Sequence, residues 1–443
     1  MSGPAPRRPR VLAIAEAANP DWVSVPLVGW SLAHALREVA DVHLVTQVRN
    51  RDAILAAGYV EGRDFTAIDS EALARPAYRL AEKLRGDSGK GWTILQAANA
   101  LSYPYFEHLV WRRFRDDLIA GDYDIVHRIT PLSPTVQSTL AAKLNRIDVP
   151  FVLGPLNGGV PWPEGYDAAR RAEREWLAPL RAAYKLLPGR RATMAHASAI
   201  LAGSRHTASE VPARFADKVV WLPENGITPE RFSRRADPGK GKPLRAAFVG
   251  RLVPYKGCDM LIEAARPLIE AGQVALDIIG DGPEMARLRE LAEPLGQGVI
   301  FHGWQPHHRV QDILSGADLL GFPSIREFGG GVVLEAMALG LPPLVVDYAG
   351  PGELVDDAVG FTVPCLPPTA LIPELRRTLQ HIVAAPDILP QKGAKAAARV
   401  AAQFTWQAKA AQIARVYDWV LAGRTQLRPD LFAADPALGA KTA

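Results

Sequence analysis

The strongest constraint on the fold of this 443-residue chain is a pattern that occurs twice, in which short apolar runs alternate with stretches of helical period. In the first half the runs fall at residues 11–15, 42–45, 125–126, 151–153 and 200–203, with a helical stretch near 29–39 after the first run. In the second half they fall at 246–249, 274–279, 299–301, 319–322, 344–346 and 361–363. Runs of strand length separated by helix-length segments predict parallel sheets with helices on both faces, and two series predict two doubly wound α/β domains. The turn signal Pro223-Glu224-Asn225-Gly226 and the polar, Pro/Gly-rich stretch 233–243 divide the chain into 1–223 and 224–404. A helical stretch at about 405–423 is assigned to the N-terminal domain as a returning element, and 424–443 reads as a poorly ordered polar tail. Ligands of open sheets bind beyond the carboxyl ends of the strands, so two such sheets facing each other predict an interdomain cleft as the site.

Composition excludes several classes. Hydrophobic residues at 48% and charged residues at 22% are globular values, and a net charge of +4 is too mild for a dedicated nucleic-acid binder. The two cysteines, Cys258 and Cys365, form neither a disulfide framework nor a metal-type cluster, which fits a reducing, cytoplasmic setting. Arg7, Arg8 and Arg10 before the first apolar run resemble a signal peptide, but Glu16 interrupts that run too early. No run approaches the ~18 apolar residues of a membrane span, so membrane contact is expected only as peripheral association at the inner face. No segment specifies a self-complementary interface.

Candidate chemistry concentrates in the second half. Gly250-Arg251-x4-Lys256-Gly257 follows the run 246–249 and precedes a helix, which puts two cations at a strand's carboxyl end. An Arg fork and a Lys point charge beside two glycines suit a diphosphate; two solvated surface cations are the alternative. Glu335 is the sole charge in the Gly-rich stretch 328–346, and a carboxylate there needs a donor from protein or ligand. Phe328-Gly329-Gly330-Gly331 is expected to present bare N–H groups at the next helix start, an anion-binding geometry. Glu327 and Glu335 then bracket one polyhydroxylated ligand, unless the segment is a packing turn with a buried structural glutamate.

These residues, with Gly280-Asp281-Gly282-Pro283, Pro323-Ser324 and Glu327-x7-Glu335-Ala336-Met337-Ala338-x-Gly340, resemble the retaining nucleotide-sugar glycosyltransferases of family four, which have the GT-B fold. The resemblance covers the C-terminal half. It extends more weakly through Gly29-Trp30, Gly154-Pro155-Leu156-Asn157-Gly158-Gly159, Glu224-Asn225-Gly226 and Phe404-Thr405-Trp406. It implies that Arg251 and Lys256 hold the donor diphosphate, that Glu335 accepts from ribose hydroxyls and that Glu327 contacts the transferred sugar. Gly250 and the backbone from Phe328 to Val332, including Gly329, Gly330 and Gly331, would line the donor. A turn around Gly29 would close over it, and Asn157, Gly158 and Gly159 would line the acceptor side. His127 stands where family members carry the first histidine of His-x-His, but Ile129 occupies the second place; a core histidine at a strand end is the alternative. Trp304 falls near the implied base site or serves packing.

The same resemblance implies a donor nucleotide sugar, UDP-linked by preference, a lipid-linked or small-molecule acceptor, cell-surface polysaccharide or glycolipid synthesis, and no cofactor or metal. Asp122-Tyr123-Asp124 matches a DxD metal motif, but Ile125 and Val126 follow it, so it precedes its strand. Residues 16–24 contain no glycine, which excludes a dinucleotide fingerprint. Basic stretches occur around Arg79, Lys83 and Arg85 and from Arg170 to Arg191; the second, with Trp176, Leu177, Leu180 and Leu186 interleaved, either lies on an anionic bilayer or is a solvated helix with Glu173 and Glu175. A sugar-nucleotide epimerase or hydrolase of the same fold, and a noncatalytic partner subunit, are the rival readings.

Overall fold

The computed structural model describes residues 7–76, 92–172, 188–232, 234–239, 242–433, 435 and 438. These fall into two compact units, one drawn from 1–159, 174–224 and 406–431, the other from 160–173, 225–405 and 432–443.

The first unit carries a seven-stranded parallel sheet, built from β1 (Arg10–Ala15), β2 (Asp41–Gln47), β3 (Phe65–Ile68), β4 (Ile125–Thr130), β5 (Phe151–Leu156), β6 (Ala199–Ala202) and β7 (Val219–Trp221). The strand order is β3-β2-β1-β4-β5-β6-β7. β1 and β2 run in register from Arg10 opposite Asp41 to Ile14 opposite Val45. β3 and β7, absent from the sequence pattern, are the two edge strands, where a short strand has little apolar run to betray it. Helix α1 (Val25–Leu36) begins four residues before the glycine where the sequence suggested it, with a proline in its first turn, where the missing N–H costs nothing. Helix α2 (Trp92–Ile119) supplies Phe106, Val110 and Phe114 to the core beneath the sheet. The helix Trp406–Leu421 belongs to this unit: buried Tyr417 meets His127 of β4, and the buried Lys409 ammonium donates to the Pro223 carbonyl.

The second unit carries six parallel strands, β8 (Leu244–Val249), β9 (Val274–Ile279), β10 (Val299–Gly303), β11 (Leu319–Phe322), β12 (Pro343–Asp347) and β13 (Phe361–Pro364), in the order β10-β9-β8-β11-β12-β13. The order reverses between β8 and β11, which pair directly at Ala246 and Leu319. That reversal is the place where a doubly wound sheet opens a crevice at its carboxyl edge. Helices α4 (Cys258–Glu270) and α5 (Gly331–Leu339) follow these two strands, and a short helix of the first unit, α3 (Leu140–Asn145), lies between β4 and β5 in the chain.

The expected polar tail is anchored in part. Phe432 is buried and stacks on Phe404 at 5.7 Å, because Leu431 and Phe432 supply apolar surface amid the polar residues. Among the described residues no helix is long and apolar enough to cross a membrane. Arg79, Lys83 and Arg85, and the stretch 173–187 with Arg174, Trp176, Arg181 and Lys185, lie outside the described residues.

Candidate active site

In the second unit the sequence motifs meet at the switch between β8 and β11. The turn after β8 ends in Gly257 at φ 74°, where a side chain is strained and a Cβ would sit 2.4 Å from the Pro323 carbonyl oxygen. Only glycine lets the Lys256 turn approach the β11 loop so closely. The Tyr255 carbonyl joins the two loops by accepting from the Ile325 N–H at 3.0 Å and from Ser324 Oγ at 3.3 Å.

Lys256 and Glu327, 71 residues apart, form an ion pair in this approach. The ammonium also lies 5.1 Å from the Phe322 ring centroid. Burial pushes its pKa down to about 8. Arg251 is exposed, and its guanidinium has no ion pair among the described residues. One cation is therefore held by protein, while the other faces solvent at the same strand end.

Helix α5 starts after Gly330, whose φ of 60° lies in the left-handed region and whose Cβ would come within 2.8 Å of Leu354 Cδ1. The N–H groups of Gly331 and Val332 begin a helix that has no side-chain cap, leaving donors at its positive end. Gly329 and Gly330 are buried, whereas Phe328, Gly331 and Val332 are partly open. Glu335 sits one turn in, half-buried and without a partner among the described residues. Burial of its surroundings pushes its pKa up from 4.5 to about 7. Thus an unpartnered carboxylate, a helix N-terminus and two cations occupy the carboxyl edge of adjacent strands.

The residues expected in the first unit have a different character. Gly29 does not lie in a turn. It sits inside α1, and a Cβ there would meet the Ala17 carbonyl oxygen at 2.1 Å, so the small residue lets the helix pack on the segment after β1. His127 is wholly buried in the interior of β4, not at a strand end. Its Nδ1 lies 2.7 Å from Tyr417 Oη and its Nε2 2.7 Å from the Gly154 carbonyl oxygen, and burial lowers its pKa to about 4. Both nitrogens are engaged, the geometry of a core histidine. Arg128, the next residue of β4, is also fully buried, donating to the Val136 carbonyl at 3.1 Å with its guanidinium 5.4 Å from the Tyr103 ring. The Asn157 Oδ1 accepts from the Gly158 N–H at 2.8 Å, and Gly158 and Gly159 hold φ values of 139° and 79° just beyond β5. Asp122 and Asp124 stand before β4 and are engaged by Arg7 and Arg10. Trp304 is 74% exposed beyond β10.

Residues 214–382 match the model of the family described as glycosyl transferases group 1. The D-inositol 3-phosphate glycosyltransferase of Nocardia farcinica (strain IFM 10152) is 37% identical over 147 residues, 30% of this chain and 32% of the relative. The chain spans between about a third and a half of the length of the curated relatives it matches. Among solved structures, sucrose-phosphate synthase (tll1590) from Thermosynechococcus elongatus superposes with a TM-score of 0.61 at 18% identity, covering 94% of this chain and 100% of that one. Anabaena Alr3699/HepE in complex with UDP and glucose gives a TM-score of 0.55 at 17% identity, covering 93% and 99%.

Proposed function

From the match of residues 214–382 to the group 1 glycosyl transferases and the GT-B fold, we propose that this chain transfers a sugar from a nucleoside diphosphate donor to an acceptor hydroxyl with retention of anomeric configuration. The observation that carries the reading is the unpartnered Glu335 carboxylate on α5 beside the α5 N-terminus, with Arg251 and Lys256 on the adjacent strand end. A uracil base is favoured because the Anabaena neighbour was solved with UDP. The acceptor is a lipid-linked saccharide or a small molecule, in polysaccharide or glycolipid synthesis.

Each residue has work to do in that reaction. Ribose hydroxyls donate to Glu335, which relieves the cost of its buried charge. The incoming diphosphate takes Lys256 from Glu327, and the released carboxylate accepts from hydroxyls of the transferred sugar. As the bond from the anomeric carbon to the phosphate oxygen breaks, negative charge grows on the diphosphate and is stabilised by Lys256, Arg251 and the α5 N–H groups. The glycosyl group becomes oxocarbenium-like, and the departing phosphate oxygen takes the acceptor proton on the same face. A glycosidase-type pair of carboxylates is then unnecessary.

Thermal unfolding with UDP, GDP and ADP tests the site, since a ligand at about 100 times its Kd stabilises by roughly 2.7 kcal/mol. One nucleotide is expected to raise the melting temperature of the wild type and to leave Lys256→Ala unchanged. A folded Lys256→Ala variant with full transfer activity refutes the assignment. Release of free sugar or of an isomer without acceptor favours the epimerase or hydrolase reading, and nucleotide binding without any turnover favours a noncatalytic subunit.

A further inference from the structure

The stretch after Gly159 is tied to the same unit as Lys256 and Glu327, although the chain before it belongs to the other unit. Tyr348 Oη donates to the Pro161 carbonyl at 2.9 Å, and Arg326 Nε donates to the Val160 carbonyl at 3.5 Å. Farther along, the buried Tyr166 donates its hydroxyl to the Leu366 carbonyl at 2.8 Å. Gly165 lies so close to Pro367 that a Cβ would come within 2.8 Å of it. This is a strap fixed at both ends.

Between those anchors Trp162 touches Tyr255 and Arg326, each one step in sequence from the Lys256–Glu327 pair. Its ring meets Tyr255 edge-on, with centroids 6.0 Å apart and planes at 86°. Its face lies 5.1 Å from the Arg326 guanidinium, which on its own part is 5.7 Å from the Phe328 ring. Arg326 is 6% exposed. Glu327 is thus flanked in sequence by Arg326 and Phe328, two of the three groups of a Trp162–Arg326–Phe328 cluster, and Lys256 by the Tyr255 ring that Trp162 meets. A guanidinium desolvated between aromatic faces is a firm contact, and small displacements of a charge pair that must grip a ligand are costly.

We propose that Trp162 is a positioning residue which, through Arg326 and Tyr255, holds the Glu327 and Lys256 loops in the spacing that a nucleoside diphosphate requires. The inference rests on the donor-site reading given above. It gives the strap a task beyond packing, since the strap's removal is felt at a diphosphate that it does not itself touch.

The test is calorimetric titration of the full-length protein with UDP, GDP and ADP, comparing wild type with Lys256→Ala, Trp162→Ala, Trp162→Phe and Tyr348→Phe. Trp162→Ala is expected to weaken the diphosphate that binds wild type by about tenfold or more, and Trp162→Phe, which keeps an aromatic face for Arg326, to restore most of that loss. Tyr348→Phe, which frees the Pro161 carbonyl, is expected to weaken binding severalfold with an unchanged melting temperature. Wild-type affinity in folded Trp162→Ala overturns the proposal; should that variant fail to fold, wild-type affinity in Tyr348→Phe overturns it. A loss in Trp162→Phe as large as in Trp162→Ala overturns it as well. Failure of the donor-site reading shows separately, as no binding of any of the three diphosphates to wild type or as undiminished binding to Lys256→Ala.

Discussion

Glu335 is a carboxylate whose surroundings oppose its charge. Its folded-state pKa is raised from 4.5 to about 7. Below the unfolded value the group is neutral in both states and costs nothing. As pH rises through 4.5 and on past 7, the unfolded chain ionises first and the native state is penalised, fully so above 7. At about 1.4 kcal/mol per pKa unit the penalty reaches a few kcal/mol. Glu335→Gln is therefore expected to be more stable than wild type in urea unfolding at pH 8 and equal to it at pH 4, while losing nucleotide affinity; equal stability at both pH values contradicts the account. Glu335 was legible in the sequence because one charge in an apolar, Gly-rich stretch is a local signal. His127 was not, because the residues that enclose it, Tyr417 and Gly154, are 290 and 27 residues away. Arg128 carries the same lesson: a cation reads as solvated unless the fold supplies a carbonyl and a ring to receive it.

At the scale of elements, the short helix α3 (Leu140–Asn145) has no side-chain cap from its own N-cap residue, Thr139. Its cap comes from α2. Glu107 is fully buried and accepts from Ser138 Oγ at 2.6 Å, Thr139 Oγ1 at 2.9 Å and the Leu140 N–H at 3.3 Å, so a negative group sits at the helix's positive end. Glu107→Gln turns one of these acceptors into a donor facing donors, and a loss of about 1–3 kcal/mol is expected in urea unfolding. Diphosphate affinity is expected to be unchanged, because Arg251, Lys256, Glu327 and Glu335, the residues proposed for the donor, lie in the other unit. A neutral effect on stability contradicts the capping role. No sequence pattern marks this cap, whereas the strands of both sheets were readable from apolar runs. Strands β3 and β7 escaped because Thr66 interrupts the apolar residues of β3 and β7 has only three residues.

At the scale of the whole molecule, the chain passes between its two units more than once, so the turn at 223–226 is only one of the crossings. A fragment of residues 224–404 lacks Trp162, the Val160 carbonyl that receives Arg326 and the Phe432 ring that stacks on Phe404. It is expected to melt below the intact chain and to bind diphosphate more weakly, as thermal unfolding and titration would report; a fragment that matches the intact protein in both contradicts this. The sequence alone determined the class of both sheets, the strand ends at which Arg251, Lys256 and Glu327 stand, and the Gly-rich helix start before Glu335. Those features are written in local periodicity and in residues whose backbone freedom or charge acts within a few positions. Only the tertiary structure decided that β8 lies beside β11, that Lys256 meets Glu327, that Gly29 is a packing contact, that His127 is enclosed and that Trp162 packs against Tyr255 and Arg326. Contacts of that kind depend on strand order and on surfaces brought together from distant segments, and such contacts leave no period in the chain.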